Sequence, residues 1–78
     1  MECKYILIRN IYEMGENTRI GFGIAAAEKG ISEVTILESF SDLSSDVTKV
    51  EQLVRISNET GLDPIHLCDV VQDFLAEN

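Results

Sequence analysis

The hydrophobic pattern of this chain changes period once, near its midpoint, and that change dictates the architecture. Up to about residue 40, apolar side chains recur at every second position, the repeat of strands with one face buried. From Asp46 onward they recur every three or four positions, the repeat of amphipathic helices. Between the two regimes lies Ser39-Phe40-Ser41-Asp42-Leu43-Ser44-Ser45, a Ser/Asp-rich connector that ends in good helix caps. With 78 residues there is room for strands, then helices, in one domain spanning 1–78.

Residues 4–13 are rich in β-branched and aromatic types and predict a first strand, followed by turn chemistry in Gly15-Glu16-Asn17. Residues 18–28 predict a second strand. Ile20, Phe22, Ile24 and Ala26 fall on one of its faces, and Arg19, Gly21, Gly23, Ala25 and Ala27 on the other. Glu28-Lys29-Gly30 fits a three-residue hairpin loop with Gly30 in the left-handed region. A third strand over 31–40 follows, with Val34, Ile36 and Phe40 in phase. Short loops between successive strands predict an antiparallel meander.

In the second half, Val47, Val50, Leu53, Val54 and Ile56 form a helical stripe over about 46–58, which Thr60-Gly61 ends. Asp63 can cap a second helix, Pro64 suits its first position, and Leu62 can staple onto Leu67. That helix runs from 64 to about 76 and buries Ile65, Leu67, Cys68, Val71, Phe74 and Leu75 to different degrees. The predicted fold class is α+β: a three-stranded antiparallel β-meander followed by two antiparallel helices packed on one face, in the order β-β-β-α-α.

Composition excludes several functions. Fourteen acidic residues against six basic ones give a net charge of -8, so phosphate backbones are repelled and nucleic acid is not an expected partner. No window approaches the roughly 18 uninterrupted apolar residues of a membrane span. Cys3 and Cys68 form no spaced pair, and no signal-peptide pattern opens the chain, which predicts a cytoplasmic protein with reduced thiols. Each cysteine is expected to serve as a small buried apolar residue.

Motifs for chemistry are sparse. Gly21-Phe22-Gly23-Ile24-Ala25-Ala26 matches a dinucleotide-site spacing, yet Gly30 interrupts the run before any crossover helix. The alternative is a strand with one small-residue face, made for close packing or a sharp twist. His66, the one histidine, shares a helix face with Asp69 and Asp73 and, at the cap, Asp63. Such a cluster could hold a divalent ion, but the plainer reading, and the one adopted, is an ordinary solvated face. His66 and Cys68 point roughly 200° apart on a helix, so they form no dyad. The serines of 39–45 lack a glycine elbow. An enzyme is not expected, and no catalytic, cofactor or metal residue is assigned.

The segment from Val50 to Pro64, a helix, a Glu59-Thr60-Gly61-Leu62 turn and a new helix, resembles a helix-turn-helix and the helical hairpin of histone-like nucleoid proteins. A recognition helix presenting Asp63, Asp69, Asp73 and Glu77 would be repelled by phosphate, so what survives of the likeness is the packing hairpin and not the DNA reader. The whole arrangement, and especially 62–75, is similar to a small clostridial-type bacterial family of about this length with no assigned function. That likeness implies a β-meander with terminal helices and a cytoplasmic location.

The leading expectation is a protein–protein interaction or regulatory module. A homodimer through the sheet is expected, because Tyr5-Ile6-Leu7-Ile8 asks for burial on both faces of an edge strand. Tyr5, Leu7 and Ile11 would supply its apolar body, against the flat face of Gly21, Gly23, Ala25 and Ala27. The alternatives are a divalent-metal or small-ligand domain centred on His66, Asp69 and Asp73, and an acidic decoy for a basic protein.

Overall fold

The computed structural model describes residues 2–77. Strands β1 (Glu2–Met14), β2 (Asn17–Lys29) and β3 (Val34–Ser44) form one antiparallel sheet in the order β1-β2-β3. Helices α1 (Val47–Glu59) and α2 (Leu67–Glu77) follow, with a 3-10 turn over Pro64–His66 leading into α2. The α+β meander followed by helices is as expected from the change of period.

Met14 and Asn17 are direct partners across the first hairpin, so Gly15 and Glu16 form a two-residue turn. Gly15 has φ 64 and Glu16 stays at negative φ, the pattern of a type II′ turn, whose twist matches that of the strands it joins. The second hairpin departs from expectation. Gly30 is not left-handed; β2 runs on to Lys29, which pairs with Val34, and the Gly30 N–H donates to the Glu33 carbonyl at 2.8 Å. The loop therefore sits later in the chain, with a fully exposed Ile31 near its tip.

β3 also differs from expectation: it begins at Val34 and runs on to Ser44 through most of the expected Ser/Asp connector, and bulges change its phase. Ala27 faces Ile36 while Ala26 faces Glu38, so Leu37 is an extra residue that reverses the phase of the strand. Val34 and Ile36 consequently share a face with Ala27, whereas Phe40 lies with Ile24 on the opposite face. Farther on, Ile24 pairs with Phe40 and Phe22 with Ser44, leaving three residues of β3 against Gly23. Asp42 lies in this second bulge at φ 56, a left-handed conformation that Asp tolerates better than most residues.

The core forms between the sheet and the helices from Tyr5, Ile24 and Ala26 on one side and Leu53, Leu67 and Val71 on the other. Phe40, Leu43, Val54, Leu62, Val70 and Phe74 pack around it half-buried. The helices thus cover the face that carries odd positions of β1 and even positions of β2. Not every predicted core residue is inside: Ile56, Ile65 and Leu75 are exposed, and so is Cys68. Ser57, an unpredicted core member, is buried on α1 because its hydroxyl donates to the Leu53 carbonyl at 2.8 Å.

The capping residues act as their sequences predict, although Pro64 opens a 3-10 turn and α2 itself begins at Leu67, later than expected. Asp46 accepts from the Thr48 N–H at 3.0 Å. At the other end Gly61 has φ 62, the Leu62 N–H reaches the Ser57 carbonyl at 3.1 Å, and the Gly61 N–H reaches the Asn58 carbonyl at 3.3 Å. These are the two bonds of a Schellman motif. Asp63 then accepts from the Ile65 N–H at 3.1 Å, with Pro64 at the start of the 3-10 turn.

The molecule is long for its mass. Its radius of gyration is 13.3 Å, against about 11.5 Å for a compact chain of this length, and its long axis is 44 Å. A 13-residue strand spans about 43 Å, so the β1–β2 hairpin sets that axis. β3 pairs with β2 only from Phe22 to Lys29. Residues 10–21 therefore project as a two-stranded arm.

Candidate interaction surface

Tyr5 fixes the relation between the sheet edge and the helices. Its ring is buried, and its hydroxyl donates to the Leu62 carbonyl at 2.5 Å. Its backbone N–H donates to Asn58 Oδ1 at 2.8 Å, and Asn58 Nδ2 donates back to the Tyr5 carbonyl at 2.9 Å. The Asn58 amide thus stands in for one residue of a fourth strand and closes the β1 edge at Tyr5. Burial, reinforced by the nearby Cys3 and Asp63 groups, pushes the Tyr5 hydroxyl pKa up to about 12.

The same bonds set the direction of every backbone group along β1. Tyr5 points its N–H and C=O away from β2, and peptide orientation alternates along a strand. The odd positions Leu7, Arg9, Ile11 and Glu13 therefore also direct their backbone groups off the sheet. Pairing of Met14 with Asn17 at the two-residue turn requires the same phase, with even positions bonded to β2. Beyond Asn58, this edge has no strand beside it among the described residues.

Side chains on the two faces of the arm are unevenly covered. Ile11 and Ile20 are cross-strand partners on the helix side, beyond the reach of the helices, and are 55% and 43% exposed. Met14 is 67% exposed on the opposite face. On that open face Arg19 lies over the Tyr12 ring, 5.7 Å from its centroid, and pairs with Asp42 of the β3 bulge. Ile6, Ile8 and Ile36 flank Ala25 and Ala27 there, on the face opposite the one that packs on the helices. The carbonyl oxygen of the Asn10 side chain, also on this face, is buried without a hydrogen-bond donor.

This arrangement corrects the expected composition of a sheet contact. Tyr5 is committed to the core, and Leu7 and Ile11 lie on the helix side, so none of the three belongs to the open face. Gly21 and Gly23 are not free to receive another layer either. A Cβ on Gly23 would overlap the Phe40 carbonyl, and one on Gly21 would overlap the Asp42 carboxylate. The small-residue face exists so that β3 can fold over β2 at its bulge. Gly21–Ala26 is mid-strand and leads into no helix.

His66, Asp69 and Asp73 are all exposed. Among the described residues no group of three His, Cys, Asp or Glu side chains is placed to hold a metal ion. The structure therefore does not assemble the ligand face of the alternative reading. Cys3 and Cys68 are exposed and free, contrary to the expected burial. An open groove between α1 and α2 is lined by Leu53, Ile56, Val70 and Phe74, with Lys49, Asp73 and Glu77 at its rim. Among the described residues no helix is long and apolar enough to cross a membrane.

The sequence profile of the family of unknown function DUF6514 matches residues 1–77, nearly the entire chain. The chain belongs to that family. No curated protein and no solved structure matches it. DUF6514 membership thus spans the whole β-β-β-α-α unit, the arm included, and not the helical hairpin alone.

Proposed function

We propose that this DUF6514 chain is a non-catalytic protein–protein interaction module whose first partner is a second copy of itself, joined through the sheet. The observation that carries this reading is the β1–β2 arm, which holds large apolar side chains outside the core between the sheet and the helices. A two-stranded ribbon is marginal in water on its own, and packing on a further element is what stabilises one. Area argues in the same direction. The accessible surface is 5624 Å², about 900 Å² more than a compact monomer of this mass presents. A standard interface buries about 800 Å² on each partner, so a dimer can absorb that excess.

Light scattering across the micromolar range tests the proposal. The expected mass is twice the 8.7 kDa of the chain, with dissociation on dilution. A mass of one chain throughout that range overturns it.

A further inference from the structure

We infer that the two copies pair antiparallel along β1 over residues 8–14, with Ile11 on the two-fold axis and Arg9 of each copy opposite Glu13 of the other. This deepens the dimer proposed above and rests on it. The outward backbone groups of Arg9, Ile11 and Glu13 are the donors and acceptors such a pairing requires, because an antiparallel edge bonds through alternate residues. Joined this way, two three-stranded sheets become one continuous sheet with both pairs of helices on the same side.

Charge selects the register. Arg9 and Glu13 are both exposed, and among the described residues neither takes part in an ion pair within its own chain. Centring the axis on Ile11 sets Arg9 against Glu13 twice over, and opposite charges directly across a ladder attract. It also places Ile8 opposite Met14 of the partner copy on the open face, giving a highly exposed methionine an apolar neighbour. Centring on Arg9 instead would set two guanidinium groups against each other. That register would also lay Glu13 along Tyr5, whose backbone groups Asn58 already occupies. Centring on Asn10 would put Arg9 opposite Ile11 and Leu7 opposite Glu13, leaving each charge against an apolar side chain. The Ile11 register alone leaves the Asn58 clamp untouched and satisfies both charges.

Charge reversal tests this register. Arg9→Glu makes the chain more acidic and Glu13→Arg makes it less so, so a general net-charge effect would move dimer affinity in opposite directions. Pairing across the axis instead predicts that each single reversal weakens the dimer about tenfold, since each creates two like-charged pairs. The double variant Arg9→Glu/Glu13→Arg should return the dissociation constant to within about threefold of the unmodified chain. If both single variants dimerise as the unmodified chain does, the edge register is wrong while the dimer stands, and the open face becomes the contact. If the unmodified chain is monomeric, both the register and the dimer fall.

Discussion

Tyr5 does three jobs with one side chain and its two flanking peptides. Its ring fills the core, its hydroxyl satisfies the Leu62 carbonyl in the turn between the helices, and its backbone is held by Asn58. The first hairpin and the helix pair are thereby tied at a single residue, across more than fifty positions of sequence. Ionisation would place an unpaired charge there, which is why the hydroxyl pKa rises to about 12 from its ordinary 10.0. A group whose folded pKa lies above its unfolded value stabilises the fold below the unfolded pKa and loses that contribution as pH rises through the folded one. Denaturant stability should therefore be level with respect to this group up to about pH 10 and fall between about 10 and 12. Tyrosinate absorbance of a Tyr12→Phe variant, in which Tyr5 is the one tyrosine left, checks the assignment. A midpoint near 10 would show that the hydroxyl is open to water.

Two glycines carry opposite lessons for the elements they join. Gly61 is left-handed with open space around its α-carbon, so alanine there meets backbone strain and nothing else. Gly23 has ordinary strand geometry, but a Cβ would strike the β3 backbone. Gly61→Ala should cost about 1 kcal/mol. Gly23→Ala should cost about 3 kcal/mol, because main chain yields less readily than a side chain. Urea unfolding measures both, and equal losses would mean that the β3 bulge does not lie over β2 as described. Gly61 was legible in the sequence because Thr-Gly followed by Leu-Asp-Pro spells a helix end and a helix start. The bulges were not. Ser41, Asp42 and Ser44 look like linker, and an added Leu37 leaves no trace in an alternating pattern although it turns Phe40 to the other face. The same limit applies to Cys68, whose place beside Leu67 in sequence says nothing about how far α2 stands from the sheet.

At the scale of the whole molecule, the feature left unaccounted for by the core is the arm, and pairing of β1 with β1 is the account given for it. Four successive apolar residues at Tyr5–Ile8 signalled an unfinished sheet, but the direction of each β1 peptide became readable only from the Asn58 clamp. Amide hydrogen exchange resolved by residue tests the edge pairing most directly. The N–H groups of Ile8, Asn10 and Tyr12 bond to β2 and should exchange slowly at any concentration. Those of Arg9, Ile11 and Glu13 face outward, so they should exchange freely in dilute monomer and become protected as the dimer forms. Free exchange at Ile11 in a sample whose mass is that of a dimer would contradict the edge pairing.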